Sequence, residues 1–214
     1  MTDVPWHVPQ LPAGATVAIL ASGPSMSAAV AERVRQAGAF AIAINTTYRL
    51  APWAWMLYGA DHEWWLHREH REALQFDGWR VTTAGGPRLA PKGLHWLLNT
   101  GVHGFDPEPG CIRTGGNSAY QALHIAIQAG ASRVLLCGLD MHGGHWHGEH
   151  PAGLKVTQPE QYAVWCDRFK ALVPEAEKRG VDVVNCTPGS ALRCFLMGEL
   201  DEQLERRDAE TVSA

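Results

Sequence analysis

Between Asp140 and His150 the chain reads Asp-Met-His-Gly-Gly-His-Trp-His-Gly-Glu-His, four histidines and two carboxylates in eleven residues set among glycines. Imidazole changes charge near neutral pH and carries two distinct ring nitrogens, so this density of histidine suits proton transfer. Two chemistries are open to it. A divalent transition metal can be held by three of His142, His145, His147, His150 and Glu149. Alternatively, without metal, one histidine is a general base and another stabilises a leaving phosphate. Metal motifs fix their ligands on rigid elements, whereas His-x-x-His-x-His-x-x-His in a glycine loop matches no established zinc spacing, which favours the metal-free chemistry. The plain alternative is a solvated polar loop. Trp146, inside it, can stack on a base or a sugar.

Four further loops, and Asp61 after the third strand, carry polar side chains suited to a ligand. In Ala-Ser-Gly-Pro-Ser-Met (21–26) Gly23 permits a sharp turn and close approach of backbone to a ligand, Pro24 follows, and Ser25 can cap the next helix or donate to a phosphoryl oxygen. An ordinary strand-to-helix turn needs the same residues. In Asn45-Thr46-Thr47, Asn45 can donate to and accept from a base or ribose edge, or cap its own turn. Asp61 suits a ribose hydroxyl or a metal ion, and equally a helix cap. Thr114-Gly115-Gly116-Asn117-Ser118 opens a helix, so its backbone N–H groups and side chains can cradle a phosphate or carboxylate, or form a capped turn. In Asn-Cys-Thr-Pro-Gly-Ser (185–190), Thr187, Gly189 and Ser190 can complete a substrate wall while Pro188 fits a first helical turn. Neither GxGxxG nor GxxxxGK occurs, which leaves dinucleotide and P-loop ATP binding without support.

These loops need a scaffold that gathers them. Short apolar runs predict strands at Thr16–Leu20, Phe40–Ile44, Trp53–Tyr58, Trp79–Thr82, Arg133–Cys137 and Val181–Asn185, most of them followed by small or polar residues. Helical spacing of Ala29, Val30, Val34 and Ala37 predicts a helix capped by Ser25 or Ser27 and stopped by Gly38. Further helices are expected over Glu63–Phe76, over Asn117–Ala129 and over Pro159–Arg179, the last with Pro174 able to bend or divide it. A helical turn is expected to begin at Pro188. The stretch from Gly85 to Gly110 reads as irregular except around Leu94–Leu98. Alternating strands and helices predict an α/β fold with a mostly parallel sheet, helices on both faces and functional loops at the carboxyl edge. Residues 15–200 read as one nucleotide-binding domain, preceded by an extended lead-in (1–14) and followed by a fraying charged tail (201–214).

Composition agrees. The 214 residues are 46% hydrophobic and 19% charged, enough to bury a core without disulfides or structural metal. A formal charge of −4 and the lack of a basic stripe argue against a nucleic-acid face. The five cysteines form no CxxC pair, and Cys137 and Cys166 sit in apolar patterns, as reduced thiols of a cytoplasmic protein would. The first residues lack the features of a secretory signal, and no apolar run is long enough to cross a membrane. Nothing opposes a homo-oligomer.

The ordered set LASGPSM (20–26), INTT (44–47), TGGNSAYQALHIAIQAGASRVLLCGLDM (114–141), HGEH (147–150) and NCTPGSAL (185–192) resembles a Rossmann-type superfamily. That superfamily groups bacterial CMP-sialic-acid-dependent sialyltransferases, Maf-type flagellin glycosyltransferases and archaeal 6-hydroxymethylpterin pyrophosphokinase, with small phage-encoded members of this chain's size. The resemblance implies a transferase using a nucleotide-activated donor, such as a sugar nucleotide, on a small-molecule or glycan acceptor, with no cofactor required. It implies that Gly23, Pro24 and Ser25 form the first nucleotide loop, that Asn45 contacts the nucleotide, and that Thr114–Asn117 flank the donor's phosphate and sugar. Asp140 matches the acidic residue ending the fourth motif strand, and His147 or His150 falls near the general base. Just after Asp140 the tyrosines that hold the leaving phosphate in the sialyltransferases are replaced by Met141 and His142, so a general nucleotide-dependent transferase fits better than a sialyltransferase. The same loops would serve a pyrophosphokinase in which Asp61 and Asp140 hold magnesium, or a nucleotide-binding phage accessory protein without turnover.

Overall fold

The computed structural model describes residues 4–83, 93–154 and 156–211. In chain order the elements are β1 (Thr16–Leu20), α1 (Ala28–Gln36), β2 (Phe40–Ile44), β3 (Met56–Tyr58), α2 (His62–Leu66), β4 (Trp79–Thr82), β5 (His95–Trp96), β6 (Leu98–Gly101), β7 (Cys111–Arg113), α3 (Ser118–Gln128), β8 (Arg133–Cys137), α4 (Pro159–Phe169), α5 (Val173–Lys178), β9 (Asp182–Asn185), β10 (Leu196–Met197) and α6 (Leu200–Thr211). Eight strands form one sheet in the order β10-β9-β8-β1-β2-β3-β4-β5, and β6 pairs with β7 separately. Every one of these pairings is parallel.

Alternation along each strand divides the core between the two faces of the sheet. Val17 and Ile19 of β1, Ile42 and Ile44 of β2, and Val134 and Leu136 of β8 pack with α3, Phe169, Leu172 and Ala176. Their neighbours Ala18, Leu20, Ala41, Ala43, Leu135 and Cys137 pack on the other face with Ala31 and Val34 of α1, Trp64 and Trp65 of α2, and Leu200 and Leu204 of α6. Both faces are thus covered by helices, as a parallel sheet requires. Helix α3 is buried along its length from Ala119 to Ile127, which explains why its sequence there is apolar apart from Gln121 and His124, two buried side chains that are hydrogen-bonded to Thr114 O and the Asp106 N–H respectively.

From β1 the chain winds outward through β2, β3, β4 and β5; β8, on the other side of β1, starts the run to β9 and β10. The winding direction therefore reverses between β1 and β8. At such a switch point the connecting loops part at the carboxyl edge and leave a crevice.

Several elements depart from the sequence expectation, each for a local reason. The strand expected from Trp53 begins at Met56, because the preceding residues turn, with the Ala54 N–H donating to Ala51 O at 3.0 Å. The helix expected over 63–76 breaks at His67, whose backbone is extended, into α2 and a 3-10 segment (Arg68–Gln75). Pro174 divides the long helix expected over 159–179: α4 ends at Phe169, a 3-10 turn follows, and α5 begins with the proline in its first turn. Strand β5 falls within the Leu94–Leu98 exception to the stretch expected to be irregular, β6 runs past that exception to Gly101, and β7 begins just beyond the stretch, with the Leu97 N–H donating to Thr82 O between β5 and β6; residues 85–92 of that stretch lie outside the described residues. At Pro188 the chain makes a single hydrogen-bonded turn, the Ser190 N–H donating to Thr187 O at 3.3 Å, and the edge strand β10 follows at Leu196–Met197; the expected fraying tail is helical to Thr211. Acidic Asp201 and Glu202 occupy the first turn of α6, where the helix dipole favours them, and Asp201 also pairs with Arg33 of α1 at 2.9 Å.

Candidate functional site

The switch-point crevice contains a cavity of about 270 Å³. Its floor is made where β1 runs out into Ala21-Ser22-Gly23, β2 into Asn45, and β8 into the segment from Gly138 to His142. Asp61 after β3 lines it too, as do Gly116, Asn117 and Ser118 at the start of α3, His145 and His150 of the histidine loop, and Thr157, Tyr162 and Trp165.

Asp140 ties the first loop down. Its carboxylate, 3% exposed, accepts from the Ser25 hydroxyl at 2.9 Å and from the Ser25 amide at 3.3 Å. The Gly23 N–H donates to Gly138 O at 2.8 Å. The loops are packed so closely that a Cβ on Gly23 would stand 2.0 Å from Asp140 Oδ2 and 2.5 Å from Gly138 O. Ser25 is therefore spent on Asp140, and the cap of α1 is Ser27, which accepts from the Val30 N–H. Pro24 abuts Gly143 of the histidine loop.

Among the described residues, two that are not glycine hold left-handed backbone: Asn45 (φ 48°) and Met141 (φ 58°). Both line the cavity. Left-handed backbone costs a residue with a Cβ on the order of 1 kcal/mol, and asparagine bears it better than methionine. Asn45 Oδ1 is buried and has no hydrogen-bond partner, which is costly for an amide oxygen unless something else supplies a donor. Next to it Thr46 is buried outside the cavity lining, its hydroxyl likewise unpartnered.

The histidine loop is pinned in the middle. Trp146 donates from Nε1 to Thr47 Oγ1 at 3.1 Å and from its amide to Ser22 O at 3.0 Å, and packs on the core face that holds α1. It is an anchor rather than the stacking platform its sequence position suggested. Thr47 Oγ1 also lies 3.0 Å from Ser22 Oγ and donates to Ala21 O, so one hydroxyl joins the loops after β1, β2 and β8. On either side of Trp146 the rings of His145, His147 and His150 gather, with centroids 4.5–5.4 Å apart. Burial, with smaller contributions from neighbouring histidines, pushes His147 and His150 down to about 4, and burial lowers His145. All three are then neutral at pH 7. His147 Nε2 and His150 Nδ1 are buried without partners. Despite this clustering, among the described residues no group of three or more His, Cys, Asp or Glu side chains is placed to hold a metal ion. His142 stands apart, exposed, with Nε2 at 3.4 Å from Gly189 O.

No protein-family model matches the sequence, and no curated protein does either. Among solved structures, the MAf glycosyltransferase from Magnetospirillum magneticum AMB-1 superposes with a TM-score of 0.61 at 16% identity, over 97% of this chain and 39% of that chain. The fold is Rossmann-like. At that identity the likeness is one of fold, and the chain spans well under half the length of the glycosyltransferase.

Within this Rossmann-like fold the candidate residues separate into two groups. Gly23, Asn45, Asp61, Gly116, Asn117, Ser118, Asp140, His142 and His150 meet at the cavity. Pro24, Ser25, Thr46, Thr114, Gly115, His147, Thr187 and Ser190 lie outside its lining. The Thr187 hydroxyl accepts from the Leu139 N–H at 2.9 Å, and the Ser190 hydroxyl donates to Leu139 O at 2.6 Å, so both fix the loop after β8 from inside the protein. Gly115 (φ 56°) has no room for a Cβ beside the Tyr120 ring. Asn117 spends its side-chain oxygen on the cap of α3, accepting from Ala119 and Tyr120 amides, while Asp61 occupies the cap position of α2 without a side-chain cap bond. Among the lining residues that loop reading missed are Thr157 and, on α4, Tyr162 and Trp165. The two aromatic residues lie three apart on α4, the spacing of one helix face, but only the tertiary fold reveals that this face meets Gly115 and Gly116 ahead of α3. Among the described residues no helix is long and apolar enough to cross a membrane.

Proposed function

We propose that the protein is a transferase that binds a nucleotide-activated donor, a sugar nucleotide by preference, in the cavity at the carboxyl ends of β1, β2 and β8. The observation that carries this reading is Asn45. It holds a left-handed backbone at the switch point of a Rossmann-like sheet and keeps a buried, unpartnered amide oxygen beside the cavity. A nucleoside base or ribose supplies the missing donor and accepts from the amide nitrogen. The phosphates then fall toward Gly116 and Ser118 at the N-terminus of α3, where backbone dipoles favour negative charge.

A histidine takes the proton of the acceptor hydroxyl as the nucleotide phosphate leaves. His142 and His150 line the cavity, and the His147 ring lies tilted behind that of His150, 5.4 Å away. The folded pKa of about 4 at His147 and His150 keeps both rings in the form that accepts a proton, and a bound phosphate anion raises it toward a more useful base strength. Asp140 positions the first loop through Ser25 instead of touching substrate. The placement of Asp61 and Asp140 on one cavity favours a second reading, a pyrophosphokinase-like transfer in which these two carboxylates would hold magnesium, which would offset the charge of the donor's phosphates.

Calorimetric titration with CMP, UDP, GDP and ATP, each with and without magnesium, tests both. The first reading expects at least one pyrimidine or purine nucleotide to bind without magnesium, and Asn45→Gly to weaken it at least tenfold. Binding only with magnesium transfers support to the second, and no binding by any of the four defeats both.

A further inference from the structure

The cavity does not end at Tyr162. A wider groove of about 880 Å³ lies between the histidine loop and α4, and it shares Met141, His142, Gly144, Thr157 and Tyr162 with the cavity. Its outer wall is Ala163 and Cys166 of α4 facing Ala191. Cys166 is held as an uncharged thiol, since burial raises its pKa, and so serves as a small apolar surface. The carboxylate and ammonium in the groove, Asp167 and Lys170, pair with each other at 3.0 Å on the exposed rim.

We propose that this groove holds the second substrate, a hydroxyl compound with an apolar face, and presents its hydroxyl to His142 where the two spaces join. The inference rests on the transferase reading above. The volume is that of a site for a ligand of drug size, and its continuity with the donor cavity through five shared residues gives a second molecule a direct path to the first. An ionic occupant finds its partners already engaged by each other. A compound with hydroxyls on every side would leave several of them against Met141, Ala163, Cys166 and Ala191 without hydrogen bonds, at a cost an apolar face avoids. In the transfer the acceptor oxygen bonds to the transferred group, its proton passes to a histidine ring nitrogen, and the nucleotide phosphate departs with the electron pair of the broken bond.

The test compares 4-methylumbelliferyl β-glucoside with methyl β-glucoside, two probes with one sugar and different apolar faces, titrated calorimetrically into the full chain. The aryl glucoside is expected to bind at least tenfold more tightly. Ala163→Trp, which fills the groove from the exposed side of α4, is expected to weaken it at least tenfold while leaving nucleotide affinity unchanged; Ala191→Trp on the opposite wall repeats the block if the first variant misfolds. Equal binding of the two probes, no binding of the aryl probe, or aryl binding indifferent to both blocks overturns the proposal. Nucleotide titration of the same protein is a separate readout: its failure defeats the transferase reading whatever the glucosides do.

Discussion

Adding one methyl group at Gly23 should cost the protein a large part of its stability. Gly23 has no left-handed backbone to protect, so the effect is one of crowding alone. The new Cβ would lie 2.0 Å from Asp140 Oδ2 and 2.5 Å from Gly138 O, where 3.0 Å is a limit that Cβ atoms essentially never breach. The carboxylate must retreat by about 1 Å, and the second obstacle is backbone that cannot rotate away. Overpacking of this kind costs about 1–3 kcal/mol. A retreat of that size also strains or breaks the charge-assisted bond from Ser25 at 2.9 Å, worth about 1.5–3 kcal/mol. Because the two effects share atoms they are not strictly additive, and about 3–4 kcal/mol is expected for Gly23→Ala. Ser25→Ala, which removes only the hydroxyl bond, should cost about 2 kcal/mol. Gly144→Ala is the control for backbone strain: its Cβ meets nothing within 4 Å at φ +82°, so about 1–2 kcal/mol is expected. Urea unfolding of the three variants at pH 7.5 gives the order. A cost for Gly23→Ala below that for Gly144→Ala would refute the close packing of the first loop on Asp140.

Acid should destabilise the fold earlier than carboxylate protonation alone would bring about. Burial holds the folded His147 and His150 near 4 and the core residue His124 near 3, all below the ordinary value of 6.5, so their contribution is present above 6.5 and is lost as pH falls toward 4 while the unfolded chain takes up protons; urea midpoints measured from pH 7.5 to 4.5 should fall, less steeply in His147→Asn. Trp146→Phe deletes the donor to Thr47 and should cost about 1 kcal/mol, with faster amide hydrogen exchange from Gly143 to Gly148; unchanged exchange would mean the loop is held otherwise. Asn45→Gly keeps the backbone in its preferred region, so stability should change by less than about 1 kcal/mol, while nucleotide affinity drops at least tenfold by calorimetry.

The strands β1, β2 and β8 were readable to the residue because each is a short, largely apolar run closed by small or polar residues, and a strand buried on both faces needs little more. Their order places the loops that follow them at one edge, so Gly23, Asn45, Gly116 and Asp140, which line the cavity there, could be singled out from sequence. What those side chains do there was less readable. Ser25 and Ser27 are equivalent as sequence caps, and only the proximity of Asp140, 115 residues away, assigns Ser25 to the carboxylate. Thr187 and Ser190 follow a strand like the other loops do, yet their hydroxyls turn inward because the backbone after β8 needs partners. Strands β5 to β7 carry little periodicity and exist through their pairings. The aromatic wall of Tyr162 and Trp165 depends on where α4 docks, which no local pattern specifies.

The central claim is that a nucleotide occupies the crevice between β1 and β8, with Asn45 as its nucleoside contact. Amide and side-chain NMR spectra of isotope-labelled protein, titrated with the tightest-binding nucleotide of the panel, test it most directly. The account predicts shifts concentrated at Ser22, Gly23, Gly116, Ser118 and Met141, with the Asn45 side-chain amide among the largest. Shifts concentrated elsewhere, with the Asn45 amide unmoved at saturation, would contradict it.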